Sequence, residues 1–209
     1  MEIKRIDKSD LKWVSELLGQ SFAEDPMFNF VLGNQINNKR KMEWIQGRSF
    51  IYACSHGECY ATEDNSGVLF MLPPAEVKVT FMKMAKAGML ALPLKLGMKT
   101  FFNFSELMDH VDKEHFASAN FDHYYIMVMG VLPVKQGKGI GKKLLNHALE
   151  IIDRQNLTCY LETQNIDNVA IYKKFGFEII SNKKLPKGDL QNWGMVRKQV
   201  KGQLKVAND

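Results

Sequence analysis

The chain has 209 residues, 45% of them hydrophobic and 24% charged, which are the proportions of a globular domain and exclude a disordered or low-complexity chain. Its formal net charge of +5 is spread along the sequence without a dense basic run or interleaved aromatics, which argues against nucleic acid as a partner. Three cysteines, Cys54, Cys59 and Cys159, are too few and too irregular for a disulfide framework, and no paired histidine spacing suggests a zinc site.

Met1 to Asp7 alternates polar and apolar residues and lacks the charged start, apolar stretch and small-residue cleavage site of a secretory signal, so a cytoplasmic location is expected. Ile3 and Ile6 sit in a short extended opening. Asp10 is the expected N-cap of a helix with Leu11, Val14, Leu17, Leu18 and Phe22 on one face. Asp25-Pro26 ends it, and Met27 to Phe30 and Lys39 to Tyr52 read as further helical pieces. Glu58 to Thr62 and Val68 to Met71 read as a hairpin closed by Asp64-Asn65-Ser66-Gly67.

From Pro73 to about Asn120 the pattern becomes methionine-rich and amphipathic, punctuated by Gly88, Pro93 and Gly97. Its longest apolar run is far too short to span a bilayer, so stable membrane insertion is not expected, and helices lining a core or pocket are the favoured reading. A membrane-surface helix is the lesser one.

The C-terminal part is more regular. Tyr124 to Val131 is a nearly continuous apolar strand ending at Pro133, followed by a glycine-rich turn and a helix striped by Ile140, Leu144, Ala148 and Ile151. Leu157 to Thr163 is the next strand, Asn165 to Phe175 a short helix, and Phe177 to Ile180 and Trp193 to Arg197 closing strands. This order predicts a mixed α/β sheet.

Gly137-x-Gly139-x-Gly141 between a buried strand and a helix offers unhindered N–H groups at the positive end of a helix dipole, a site for phosphate to which Lys138, Lys142 and Lys143 add charge. It is not a P-loop, because the residue five after Gly137 is Lys142 and no Ser or Thr follows to ligate magnesium. Nor is it a dinucleotide fingerprint, because the residue three after Gly139 is again Lys142, and three after Gly141 it is Leu144.

The pattern Gln/Arg-x-x-Gly-x-Gly/Ala at Gln136, Gly139 and Gly141 resembles the pyrophosphate loop of the GNAT superfamily of N-acetyltransferases. The strand with Gly130 and Pro133 before it, Tyr160-Leu161-Glu162-Thr163 after its helix, and Asn168-x-x-x-Tyr172-x-x-x-Gly176-Phe177 extend the likeness. Together with Trp193-x-Met195-x-Arg197, these residues look like puromycin N-acetyltransferase-type members over roughly residues 58 to 72 and 123 to 198.

The resemblance implies a GNAT-like acyl-CoA N-acyltransferase fold, a central mixed sheet flanked by helices, in a single domain over 1–209 with a helical insert at about 74–120. It implies transfer of an acetyl group from acetyl-CoA, without a metal, to a primary amine on a small molecule or peptide. In the family the strand before the loop splays from its neighbour, so Met129, Gly130 and Val131 would pair with the pantetheine arm and Val131 N–H would polarise the thioester carbonyl. Gln136, Gly137, Lys138, Gly139, Ile140, Gly141 and Lys142 would hold the pyrophosphate. Tyr172 would be the general acid, and Asn168 or Asn165 the pantetheine contact.

For the general base, Glu162 at a strand end leads, with His123, His115 and His110 in reserve. Two other classes compete with the enzyme: a non-catalytic acyl-CoA-binding or sensory module on the same fold, and a membrane-surface or partner-binding protein acting through Met82 to Phe102. The acceptor and the oligomeric state, a dimer included, stay open.

Overall fold

The computed structural model describes residues 2–33, 38–185 and 189–199; Met1 and residues 200–209, the outer limits of the 1–209 expectation, lie outside them. Strand β1 (Ile3–Arg5) leads through a 3-10 turn at Lys8–Asp10 into helix α1 (Leu11–Ser21). Asp10 holds the N-cap position of α1, as expected, but its side chain makes no capping bond to that helix. Asp7 caps the 3-10 turn, its carboxylate accepting from Ser9 N, while Asp10 accepts from Asp7 N and from Trp13 Nε1. The Asp10 carboxylate is instead taken up by the preceding 3-10 turn, which forms a capping box between Asp7 and Asp10.

Helix α2 (Pro26–Leu32) starts on Asp25, which accepts from Met27 N and Phe28 N, with Pro26 in the first turn. Helix α3 (Asn38–His56) follows, then the hairpin β2 (Glu58–Thr62) and β3 (Gly67–Leu72). The insert folds as α4 (Phe81–Lys86), α5 (Leu92–Leu96) and α6 (Met98–Ser118), with Gly88 and Gly97 at the breaks, both at positive φ. Strand β4 (His123–Val131), helix α7 (Ile140–Arg154), strand β5 (Thr158–Thr163), helix α8 (Ile166–Lys173) and strands β6 (Glu178–Lys184) and β7 (Gln191–Arg197) complete the order.

The seven strands form one mixed sheet in the order β1-β2-β3-β4-β5-β7-β6. Only β4 and β5 pair in parallel, with α7 as the crossover. Helix α7 buries Ile140, Leu144, Leu145, Ala148, Leu149 and Ile152 against Tyr124, Ile126 and Leu161 of the sheet, each leucine or isoleucine worth about 1.5–3 kcal/mol of transfer free energy. On the other face α1 and α3 cover β2 and β3 through Val14, Leu18, Phe50, Val68 and Phe70. The insert is not a separate body. Its Met89, Leu92, Leu96, Phe104 and Leu107 pack with Phe28, Val31, Met42 and Ile45 of α2 and α3.

A bulge in β4 sets the site. Phe70 of β3 faces Val128 while the next residue, Met71, faces Ile126, so Met127 has no partner in that register. Alternation should then put Tyr124, Ile126 and Val128 on one face; instead Val128 packs on the α1 side, and Met129 and Val131 turn toward α7. The extra residue flips the remainder of the strand.

Candidate active site

Past the bulge, β4 leaves β5. The two strands pair only over His123–Ile126 against Thr158–Leu161, although β4 runs to Val131 and β5 to Thr163. The β5-facing backbone groups of Met127 to Val131 are therefore not bonded by that strand, as expected for the splayed cleft. Gly130 lets α1 close on the opposite side, since a Cβ there would lie 2.6 Å from Leu18 Cδ2.

A 3-10 turn at Pro133–Lys135 leads from the cleft to the loop. Gly137 and Gly139 have φ of +73° and +78°, the left-handed region that glycine enters without penalty, and a Cβ at either would meet no atom within 4 Å. Gly139 is the N-cap of α7 and supplies no side chain, so the first N–H groups, at Ile140, Gly141 and Lys142, leave the helix uncapped. Gln136 and Lys138 fold back on the turn, Gln136 Nε2 donating to Val131 O at 3.2 Å and Lys138 Nζ to Val134 O at 3.2 Å. The residues fit a polyanion: exposed, open, positive at the helix end and flanked by lysines.

The cleft opens into a cavity of about 220 Å³ whose wall includes Met129, Glu162, Asn168 and Tyr172. Structure separates the two asparagines. Asn165 is the N-cap of α8, its side chain accepting from Asp167 N at 2.9 Å, and it is not on the cavity wall; Asn168 is on the wall, held by its Nδ2 donating to Thr163 Oγ1 at 3.2 Å. Tyr172 is buried against Phe177, with its ionisation pushed up to about 12 by burial, so it holds its proton at neutral pH.

Glu162 shares a strand face with Tyr160 and is covered by β4 and α6. Its side chain is 5% exposed. Oε1 accepts from Tyr160 Oη at 2.8 Å and Oε2 from Tyr125 Oη at 3.4 Å, yet burial outweighs both bonds and raises its carboxyl to about 8. Asp112 of α6, also on the cavity wall, adds like charge and is itself raised to about 6, by burial first and Asp109 second.

Of the histidines, His115 and His123 join this group. His115 Nδ1 lies 3.8 Å from Glu162 Oε1, and its Nε2 lies 2.8 Å from His123 Nε2. His110, half-buried on α6, takes no part in these contacts. In sequence these histidines stand apart, and nothing there marks Asp112 or Tyr125 as their neighbours or gives Tyr160 a role in the site. The period-2 spacing of Tyr160 and Glu162 signals only that they share a strand face.

Also unforeseen were Gln46 and Tyr52 of α3. Both are on the cavity wall and 1% exposed, and Gln46 Oε1 and Tyr52 Oη have no hydrogen-bond partner. Among the described residues no group of three or more His, Cys, Asp or Glu is placed to hold a metal ion, and no helix is long and apolar enough to cross a membrane.

Residues 104–177 match the model of the acetyltransferase (GNAT) family. An uncharacterized N-acetyltransferase of Schizosaccharomyces pombe is 26% identical over 185 residues, 85% of this chain and 74% of that protein. N-alpha-acetyltransferase 50 of Danio rerio is 39% identical over 71 residues, 32% of this chain and 42% of that protein. Among solved structures, a histone acetyltransferase HPA2 and related acetyltransferase from Corynebacterium glutamicum superposes with a TM-score of 0.66 at 15% identity, covering 97% of this chain and 98% of that one. Arylalkylamine N-acetyltransferase 2 from Aedes aegypti does so with 0.62 at 14%, covering 94% and 98%. The fold is that of the GNAT acetyltransferases, a mixed α/β sheet flanked by helices. Within it, the matched residues 104–177 run from inside α6 through the loop and α8 to just before β6.

Proposed function

We propose that the chain is a single-domain, acetyl-CoA-dependent N-acetyltransferase that moves the acetyl group to a primary amine by direct attack on the thioester. The observation that carries this is one continuous path: Met127 to Val131, which β5 does not pair, the uncapped start of α7 beyond it, and a cavity beside it walled by Glu162, Asn168 and Tyr172. The closer likeness to puromycin N-acetyltransferase-type members rests on the motif residues alone.

Acetyl-CoA supplies an activated acyl group, and each remaining demand falls to a residue. The N–H groups of Gly137 to Lys142 hold the pyrophosphate, with Lys138 and Lys142 adding charge, while Met129, Gly130 and Asn168 hold the pantetheine arm. Val131 N–H donates to the thioester oxygen as negative charge builds there. Glu162 as carboxylate takes a proton from the entering ammonium, and Tyr172, protonated throughout the physiological range, gives one to the leaving thiolate. The nitrogen sheds a second proton as the amide forms, which restores the Tyr172 hydroxyl, and the proton on Glu162 passes to solvent, so ammonium and thioester give amide, thiol and one released proton.

The wall also speaks to the acceptor. It carries the carboxylates of Asp25, Asp112 and Glu162, one guanidinium, Arg48, and no lysine, set among Met27, Met84, Met89, Met108 and several aromatics. A cationic amine on an apolar body suits it, with a second donor group for Gln46 Oε1. Helices of the insert form one side, which favours a small molecule over a peptide chain.

The test is calorimetric titration with acetyl-CoA, then thiol release with a panel of small apolar amines and N-terminal peptides. Failure to bind acetyl-CoA overturns the reading; binding without thiol release on any amine makes the chain an acyl-CoA-binding module.

A further inference from the structure

The mechanism uses Glu162 but gives no work to the buried pair behind it. His123 Nδ1 lies 2.6 Å from the carbonyl oxygen of Phe121. A carbonyl can only accept, so His123 carries its proton on Nδ1 and presents a lone pair on Nε2. That lone pair faces His115 Nε2 at 2.8 Å, so the proton of that contact belongs to His115. A neutral His115 with its proton on Nε2 has a bare Nδ1, the atom that faces Glu162 Oε1. One backbone carbonyl thus settles the tautomers of two rings in sequence.

Both rings are neutral for physical reasons. His115 is 2% exposed, sandwiched between Tyr160 (centroids 4.1 Å apart, 12° between planes) and Phe116 (4.8 Å, 5°), and burial lowers it to about 3. His123 is lowered too, by burial, against the raising effects of the Phe121 carbonyl and Asp122. The groups facing the three residues are Tyr125 from β4, Tyr160 from β5, and Asp112 and Phe116 from α6, while β7 offers the uncharged Gly194 opposite Glu162. None is a cation that would hold Glu162 ionised.

We propose that His123 and His115 are positioning residues that keep a bare imidazole nitrogen aimed at Glu162, ready to accept from its carboxyl once Glu162 has taken the amine proton. This rests on Glu162 as the base of the proposed transfer. At 3.8 Å the contact is longer than a hydrogen bond, and an ionised Glu162 facing that lone pair has no proton to place in it. Protonation turns the pair into donor and acceptor, so the bond forms only in the state that follows proton uptake. The consequence is a stronger base than the two tyrosine hydroxyls, which favour the anion, would leave by themselves.

The experiment needs neither donor nor acceptor. In 15N NMR of the ligand-free protein, His123 is expected as the neutral Nδ1–H tautomer and His115 as the neutral Nε2–H tautomer at pH 7; an imidazolium or an Nδ1–H tautomer at His115 overturns the proposal. The 13C carboxyl titration of Glu162 gives a second reading. His123→Leu removes the acceptor for His115 Nε2–H, frees the other tautomer to donate to the Glu162 anion, and should move the midpoint down by about one pH unit. His123→Gln, which can accept from His115 and donate to Phe121 O, should restore it. An unmoved or raised midpoint in the leucine variant overturns the proposal, and if that variant does not fold the tautomers of the unaltered protein decide. Correct tautomers without acetyl transfer to any amine would fail the proposed function and leave this arrangement standing.

Discussion

The hydroxyl of Tyr160 sits 2.8 Å from Glu162 Oε1 on the same face of β5, in a space that exists because residue 194 of the neighbouring strand has no side chain. A Cβ on Gly194 would lie 2.6 Å from Tyr160 Oη. Gly194→Ala is therefore expected to push the hydroxyl off Glu162, costing about 1–3 kcal/mol of stability by overpacking. Turnover should fall by about tenfold through loss of one hydrogen bond to a charged group. Thermal melts and steady-state rates check the two effects separately.

Burial of Glu162 makes a prediction about stability as well as rate. Its folded carboxyl is raised to about 8 from an ordinary 4.5, so between those values the folded state binds more protons than the unfolded one. Stability contributed by the protonated form is present below pH 4.5 and is lost as pH rises through 8. Glu162→Gln should flatten that decline in a melting series while abolishing most turnover. In the unaltered protein kcat/KM should rise with pH through the same midpoint, because Glu162 must be ionised to act as the proposed base.

Tyr172→Phe removes the proposed proton donor to the thiolate and leaves the ring against Phe177. Turnover should drop by about 10²–10⁴-fold with acetyl-CoA affinity unchanged. Calorimetry beside single-turnover kinetics separates these, and a collapse of affinity would assign Tyr172 to binding instead.

Gly139 stands at φ +78°, where a β-branched residue is strained whatever room surrounds it. Gly139→Val should cost about 1–2 kcal/mol and weaken acetyl-CoA binding about tenfold or more by withdrawing N–H groups from the ligand, since 1.4 kcal/mol is a factor of ten. Titration at two salt concentrations checks it, because the electrostatic part falls with ionic strength.

Gln46→Leu replaces a buried, unpartnered carbonyl on the cavity wall with an apolar group of similar size. The free protein should be unchanged or more stable, because a desolvated acceptor is lost. KM for an acceptor bearing a second donor should rise about tenfold with kcat little altered. An equal rise for acceptors lacking that donor would sink the assigned contact.

Much of the fold was legible because its signals are local. The turn-bounded run Glu58 to Thr62 and the period of 3.6 from Ile140 to Ile152 are each local to one element, and both segments formed as expected. The loop was legible because Gly137 and Gly139 answer to backbone torsion, which needs no distant partner. Asp10 stands at the expected N-cap, but its carboxylate serves the 3-10 turn before the helix, which no periodicity in the sequence announced. Spacing left Asn165 and Asn168 undecided for a similar reason: it cannot say which amide the helix consumes at its own N-cap.

The sequence by itself determined where a strand, a glycine-rich turn and a helix start follow one another and leave backbone N–H groups open, since these are adjacent in the chain. Tertiary structure alone decided how the carboxylate is tuned and what the cavity admits. His115 comes from the insert, His123 from the start of β4, Tyr160 and Glu162 from β5, and Gln46 and Tyr52 from α3. Their meeting depends on the bulge at Met127, on the parting of β4 from β5, and on α6 lying over the sheet. Desolvation and hydrogen-bond direction are properties of that meeting, and no periodicity along the chain carries them.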